Sequence, residues 1–318
     1  MSKSWAWARV GLLALLWGST FLWIELALHA LTPVQVTLSR CVLGAVTLLV
    51  ACLASGRRLP GNRRTWGHVL VAAFFCNALP FAMFSLGQQT VDSGIAGVLN
   101  ATTPLWSLLI GLAVGTERGL QPARLGGLLL GFAGVVLIFA PWQATTAGGW
   151  GVLALLVATA SYAAGFAYMG RFLVGRGIPT ISLSAAQLIA ASALTALTLP
   201  AGGLEPIEIG PKTLIAVVVL GVVATGATFH LTYRNIAAEG ATNTATVSYL
   251  LPVVSVALGV VVLDEQFALR TAVGMLVVLV GVALARRHHP ASSTPAPAAA
   301  PAGDPTRGLS RQEQDVRQ

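Results

Sequence analysis

Long apolar runs separated by short polar stretches dominate the hydropathy pattern of this 318-residue chain. A helix that crosses a bilayer needs about 20 mostly apolar residues. Ten runs meet this requirement, at approximately 8–28, 34–54, 67–87, 93–114, 123–141, 150–170, 180–200, 213–233, 241–262 and 268–285. The pattern predicts an all-α membrane protein with ten transmembrane helices and no soluble domain between them.

Composition and charge distribution support this prediction and set an orientation. Hydrophobic residues make up 55% of the chain and charged residues only 9%, against about 25% charged in soluble domains. The net charge is +8, but Lys and Arg concentrate at the N-terminus and on alternate connections. Only Lys212 and Arg270 fall on the opposite side. The asymmetry predicts that both termini lie in the cytoplasm, and it argues against nucleic acid as a partner.

One spacing of Pro, Glu and Gly occurs twice in the chain. The two copies lie 148 residues apart and comprise Pro104, Glu117 and Gly126, then Pro252, Glu265 and Gly274. The second copy follows five spans later, and five is odd, so equivalent helices cross the membrane in opposite directions. We therefore expect two inverted five-helix repeats, at 8–141 and 150–286, which is an arrangement typical of alternating-access transporters.

The first two helices of each half also match. The first helix carries aromatic residues at positions i and i+4, and the second carries one strongly polar residue seven or eight positions after a proline. The matched residues are Trp17 and Phe21 with Tyr162 and Phe166, and Arg40 with Gln187. Repetition of polar and aromatic positions favours a shared functional role.

Three segments resemble the EamA-type branch of the drug/metabolite transporter superfamily. They are WGSTF, TLSRCVLGA and GATNTATVSYLLPVVSVALGVVVLDEQFALRTAVGMLVVLVGVAL, and the resemblance covers about residues 8–286. It implies a polytopic inner-membrane carrier, usually an exporter of amino acids, other metabolites or drugs. Many relatives have Lys near the end of the first helix, where this chain has Glu25.

Pro104 and Pro252 fall near the middle of the fourth and ninth predicted helices. A proline lacks the amide donor and frees the carbonyl four residues earlier, which kinks the helix. Those positions are Asn100 and Ser248, both polar and equivalent in the repeat. Two interpretations remain open. The kinked half-helices line a central cavity, or the polar side chains only hydrogen-bond the backbone groups freed in their own helices.

Further substrate-binding candidates are polar or aromatic residues within the spans. Asn77 lies near the midpoint of the third span, where helix packing and substrate contact are both open interpretations. The aromatic candidates offer flat apolar faces, with a polar tip in the tyrosines, and each could instead serve packing. They are Trp17, Phe21, Phe81, Tyr162, Phe166 and Tyr249.

Three ionisable residues, Glu25, Arg40 and His230, lie well within predicted spans. Charges at this depth are functional candidates by default. Glu25 and Arg40 could form an ion pair in an outward vestibule, could each reach the interface, or Glu25 could couple transport to protons. His230 is expected at the inner interface, with proton transfer as the alternative.

Several expectations concern what the chain lacks. The spans contain no HExxH, no P-loop and no nucleophile beside a base, so we expect neither an enzyme nor a cofactor. No pair of basic residues lies near the midplane, which disfavours phosphorylated substrates. Segment 290–318 is rich in Pro, Ala and polar residues and is expected to be a disordered cytoplasmic tail. The predicted function is export of a small amphipathic or zwitterionic metabolite or drug, with an exchanger or importer, or a non-transporting sensor or scaffold, as alternatives.

Overall fold

The computed structural model describes residues 3–91, 93–115, 121–140, 149–207, 210–254 and 269–287. Regular structure in these ranges is helical. The helices are α1 Lys3–Gly18, α2 Thr20–Leu28, α3 Pro33–Ala54, α4 Arg63–Ala73, α5 Leu79–Gly87, α6 Ser93–Asn100, α7 Thr103–Ala113, α8 Pro122–Phe139, α9 Trp150–Phe172, α10 Thr180–Ala196, α11 Pro211–Val218, α12 Thr228–Glu239, α13 Ala241–Ala245 and α14 Leu269–Arg287.

Six helical stretches in the described ranges are long and apolar enough to cross a membrane. They are Val10–Leu28, Pro33–Ala54, Arg63–Gly87, Ile95–Ala113, Trp150–Phe172 and Pro211–Glu239. Three shorter apolar helices, Pro122–Ile138, Thr180–Ala196 and Leu269–Ala285, coincide with predicted spans. The ninth predicted span is described only to residue 254, so the count of ten stays a prediction. Glu117, Glu265 and the predicted tail also lie outside the described residues.

Both repeat prolines lie at interruptions of their helices. In the first half, α6 ends at Asn100 and α7 begins at Thr103, with Pro104 in its first turn. The Thr103 hydroxyl donates to the Asn100 carbonyl at 2.7 Å, so the carbonyl that Pro104 frees has a partner. In the second half, a 3₁₀ turn over Thr246–Tyr249 precedes the helical residues 250–254, which include Pro252.

Two further helices widen into π-helical segments. The first π segment, Phe74–Ala78, joins α4 to α5, and the second π segment, Val219–Ala227, joins α11 to α12. Pro80 explains the first, because its ring excludes the hydrogen bond to the carbonyl four residues back. The second contains no proline. Such segments re-aim side chains and often occur at functional sites.

The last described helix of each half, α8 and α14, packs against the other in antiparallel orientation. In α8 and α14, Gly127 lies against Ala285 while Gly134 lies against Gly274, so one helix runs up as the other runs down. A Cβ at Gly127 would lie 2.5 Å from the Ala285 backbone nitrogen. Only glycine permits this approach, and small residues spaced four apart favour close packing of membrane helices.

Helices α3 and α10 repeat this arrangement nearer the centre of the bundle. Gly44 of α3 lies against Leu188 of α10, and Cys52, further along α3, lies beside Ser182, earlier in α10. The opposite order of these contacts shows that the two helices are antiparallel. Arg40 and Gln187, the polar residues of these helices, are thereby brought into the interior of the bundle, where both are buried.

Candidate functional site

A narrow cavity of about 30 Å³ lies between the two halves of the chain. This space has room for one or two water-sized groups, so a larger solute needs the walls to move apart. Residues from α1, α2, α3, α5, α6, α7 and α9 and from the 3₁₀ turn and the helical stretch after it surround it. They are Trp17, Thr20, Phe21, Ile24, Arg40, Phe84, Asn100, Thr103, Tyr162, Phe166, Ser248 and Leu251.

Aromatic rings form one wall of the cavity. Trp17 stacks on Phe166 with ring centroids 6.1 Å apart and an interplanar angle of 11°. Tyr162 lies 6.0 Å from Phe166 and 6.0 Å from Phe84, and Phe84 lies 5.7 Å from Phe21. The aromatic pairs expected from the repeat therefore meet across the two halves. They present ring faces suited to a flat apolar group.

Neutral polar side chains at the helix interruptions face the same cavity. Asn100 ends α6, and Ser248 lies in the 3₁₀ turn of the second half; they are 6% and 3% exposed. Thr20 follows the break between α1 and α2 at Ser19, and its hydroxyl has no hydrogen-bond partner among the described residues. These groups can donate to or accept from a bound solute.

Arg40 is the one charged residue among the described lining residues, and it is only 2% exposed. Its guanidinium carbon lies 3.6 Å from the centroid of the Phe81 ring, which gives a cation–π contact. Its Nε donates to Thr225 Oγ1 at 3.1 Å, and the Thr225 hydroxyl donates to the Leu220 carbonyl at 2.7 Å. The second π segment thus positions the acceptor that fixes Arg40.

Gln187, the repeat equivalent of Arg40, bonds in the opposite sense, from the second half to the first. We call these two contacts between the halves, Arg40 with Thr225 and Gln187 with Asn77, the two crossings. Gln187 Nε2 donates to Asn77 Oδ1 of the first π segment at 2.6 Å, and its Oε1 accepts from the Tyr233 hydroxyl at 2.5 Å. Asn77 and Thr225 are 148 residues apart, which is the repeat offset. Each second helix of a half is therefore bonded to the π segment of the other half.

Five predicted site residues lie outside the cavity lining. Asn77 is committed to Gln187, and Phe81 packs under Arg40 and edge-on against Phe229 at 5.9 Å. The Tyr249 hydroxyl donates to the Leu128 carbonyl at 2.9 Å. The remaining two are Glu25, which is exposed, and His230, which is partly buried.

The open alternative of an ion pair between Glu25 and Arg40 is not what the structure shows. Within the described ranges, no salt bridge joins them: Glu25 is exposed on α2, while Arg40 is buried against Phe81 and Thr225. The interpretation that Arg40 extends to the interface is also wrong. The direction of α3 against the second π segment holds its side chain in the interior instead.

Thr20, Ile24, Phe84, Thr103 and Leu251 line the cavity although they are not among the predicted site residues. Two signals in the sequence could have found four of them. Thr20 and Ile24 follow Trp17 at helical spacing and share its face. Thr103 and Leu251 each precede a repeat proline, so extending the repeat by one residue would have added both.

The described residues contain no group of three or more His, Cys, Asp or Glu side chains that could hold a metal ion. The donor set of the cavity is one guanidinium with hydroxyls, an amide and aromatic rings. Such a set suits recognition of an organic solute by hydrogen bonds, charge and stacking. It presents no nucleophile beside a base among the lining residues.

Comparison with known proteins identifies the family. The sequence profile of the EamA-like transporter family matches residues 6–140 and again residues 149–287. The chain belongs to this family. It is a multi-pass membrane transporter of a small-molecule substrate, not an enzyme. The double match places one copy of the family unit in each half of this EamA-like transporter.

Relatives of this EamA-like transporter occur in bacteria and archaea. The "uncharacterized inner membrane transporter YedA" of Escherichia coli K12 is 28% identical over 257 residues, covering 78% of this chain and 79% of the relative. An "uncharacterized transporter" of Archaeoglobus fulgidus is 25% identical and covers 87% and 96%. A protein of known crystal structure, 24% identical, superimposes with a TM-score of 0.72 over 89% of this chain and 97% of its own, which indicates a shared fold.

Proposed function

We propose that this transporter exports a small amphipathic or zwitterionic metabolite, or a drug, by alternating access, as a secondary carrier. The observation that carries the proposal is the cavity between the halves, which combines aromatic faces with neutral polar groups and one guanidinium. The first half supplies Trp17, Phe21 and Asn100, and the second supplies Tyr162 and Ser248. A solute bound there contacts both halves, so relative movement of the halves changes its access.

The proposal includes ten spans arranged as inverted repeats with both termini in the cytoplasm. The antiparallel packing of α8 with α14 and of α3 with α10 supports the inverted relation. The two reciprocal crossings, from Arg40 to Thr225 and from Gln187 to Asn77, support it independently. A reporter active only outside the cytoplasm, fused after Ala285, should give no signal, whereas a strong signal would overturn this topology.

Reconstitution into proteoliposomes tests the transport function. Counterflow of amino acids and amphipathic drugs should occur without nucleotide. The substrate-dependent signal should appear only in liposomes that contain the protein. Flux that requires a solute on both sides would replace the exporter with an exchanger. Saturable binding without flux of any solute would replace transport with a sensor or scaffold role.

Glu25 is the coupling candidate, with His230 as the alternative inside the spans. Glu25 is exposed on α2, and among the described residues it makes no salt bridge to Arg40. If it couples transport to protons, Glu25→Gln should preserve counterflow but abolish accumulation driven by a pH gradient. His230→Gln is the matched control, and loss of accumulation there instead would transfer the role to His230.

Cysteine labelling tests the helix interruptions. Asn100→Cys and Ser248→Cys, in a background without Cys41, Cys52 and Cys76, should react with small thiol reagents, and substrate should slow the reaction. Their neighbours Ala101 and Val247 are 0% exposed and outside the cavity lining, so cysteines there should stay unreactive. Equal reactivity at all four positions, or inertness of both test positions, would contradict a cavity role.

A further inference from the structure

The guanidinium of Arg40 has more hydrogen-bond capacity than the protein uses. An arginine carries five N–H donors in a planar fork. In Arg40 only Nε has an acceptor, Thr225 Oγ1, and Nη1 and Nη2 have no hydrogen-bond partner among the described residues. The residue is 2% exposed and lines the cavity, so bulk water does not solvate the remaining donors as it would at a surface.

The charge of Arg40 is not balanced by a carboxylate in the cavity. The lining residues include no Asp or Glu, and no salt bridge to Arg40 is present in the part of the chain that the structure describes. Phe81 offsets part of the charge through its ring face, and Thr225 offers a neutral oxygen. A buried charge without a counter-ion is unfavourable, and a ligand anion would remove that penalty on binding.

The other lining groups restrict what the anion can be. One guanidinium binds a carboxylate through two parallel hydrogen bonds, whereas a phosphate dianion would leave part of its charge unpaired here. An ammonium group would meet only neutral oxygens, such as those of Asn100 and Ser248, close to a cation. The rings of Trp17, Tyr162 and Phe166 are available to an apolar body attached to the anion.

We infer that the cavity takes an amphipathic monoanion, a carboxylate on a flat apolar body, with Arg40 as the group that binds the carboxylate. The inference rests on the proposed transport function and narrows it, because cations and zwitterions then bind less well than the matching anion. Arg40 determines charge specificity, and the aromatic wall accommodates the apolar part.

Three probes that share a phenyl ring and differ in charge test this. They are 3-phenylpropionate, phenylalanine and 2-phenylethylamine, an anion, a zwitterion and a cation. Binding of each to the full chain in lipid nanodiscs should follow that order, with the anion tightest. Arg40→Gln should weaken the binding of 3-phenylpropionate by about 10- to 100-fold, the range of a charge-assisted hydrogen bond. It should also remove the preference for the anion over the other two probes. Arg40→Lys should keep the order with weaker anion binding, because the charge stays and the fork is lost.

Two further variants keep the test decisive if Arg40 variants do not fold. Asn100→Asp adds a carboxylate to the lining while Arg40 stays intact. It should weaken the binding of 3-phenylpropionate and strengthen the binding of phenylalanine. Gln187→Leu is the matched control, since Gln187 is the buried repeat equivalent outside the cavity, and it should leave the order unchanged. An order in which the zwitterion or cation binds best, or binding of none of the three, would overturn the inference.

Flux measurements separate this inference from the proposed function. Counterflow of phenylalanine or 2-phenylethylamine without counterflow of 3-phenylpropionate would contradict the anion inference and would still support the transport function. Tight, Arg40-dependent binding of 3-phenylpropionate with no flux of any solute would uphold the inference and contradict transport by alternating access.

Discussion

Two crossings hold the halves of this transporter together, and they differ in how fully their polar groups are used. On one side, Gln187 bonds to Asn77 and accepts from Tyr233, so its carbonyl and amide both have protein partners. On the other, Arg40 uses one donor on Thr225 and lies at the cavity. At equivalent positions of the repeat, both polar atoms of the Gln187 side chain therefore have protein partners, whereas the Arg40 guanidinium has donors left for a ligand.

The residues beside each crossing account for the difference. Tyr233 reaches Gln187, and the position one repeat offset earlier is Ser85, whose side chain is much shorter. The Ser85 hydroxyl is buried and has no hydrogen-bond partner among the described residues, so it does not bond to Arg40. The short Ser85 side chain on the Arg40 side supplies no hydrogen bond to the guanidinium, whereas the phenol of Tyr233 donates to Gln187.

Placing an arginine at the Gln187 crossing should have the largest effect on the free energy of unfolding. Gln187→Arg buries a second guanidinium between Asn77 and Tyr233, outside the cavity lining and with no carboxylate among the described partners of Gln187. We expect a loss of about 3–5 kcal/mol in the free energy of unfolding, the range found for an uncompensated buried charge. Thermal unfolding and size-exclusion chromatography measure it, with Gln187→Leu as the control. A wild-type melting temperature in Gln187→Arg would contradict this expectation.

Removing the hydrogen-bond acceptor of each crossing, Asn77 or Thr225, should reduce stability by smaller amounts that differ between the two crossings. Asn77→Ala leaves the Gln187 amide without an acceptor in a dry contact and should destabilise the protein by about 1–2 kcal/mol, as for hydrogen bonds between membrane helices. Thr225→Val should cost less, because Arg40 can turn towards the cavity, but it should weaken binding of 3-phenylpropionate. Equal stability losses without any change in binding would remove the distinction between the crossings.

The smallest predicted effects come from the residues that differ between the two sides. Tyr233→Phe deletes one hydroxyl that donates to Gln187 and should reduce stability by about 0.6 kcal/mol. Ser85→Ala deletes a hydroxyl that has no partner, so stability should stay within about 0.5 kcal/mol of wild type. Chemical denaturation of both variants in the same detergent compares them, and a larger loss in Ser85→Ala would show that its hydroxyl is used.

Much of the candidate site could be predicted because it follows from the repeat. The interruptions at Pro104 and Pro252 come from a missing amide donor, which any proline imposes on its own helix. The aromatic positions Trp17 and Tyr162 were found by spacing alone. Their contact with a substrate stays a prediction, as do the ten spans and the inverted relation of the halves.

Other features depend on contacts between residues far apart in the chain. The sequence did not determine whether Arg40 is paired, exposed or buried, since this depends on Phe81 and Thr225, which other helices carry. Likewise Asn77 is a packing residue because Gln187, which lies 110 positions away, reaches it.

Apolar periodicity, glycine spacing and proline positions act within one helix, and the sequence alone determined the helical class, the repeat and the helix breaks. The second π segment contains no proline, and no local rule predicted it. Tertiary structure decided which helix faces meet and therefore which polar groups are saturated. A polar side chain in a membrane binds whichever partner the packing brings within hydrogen-bond distance, and that choice left Arg40, rather than Gln187, at the cavity.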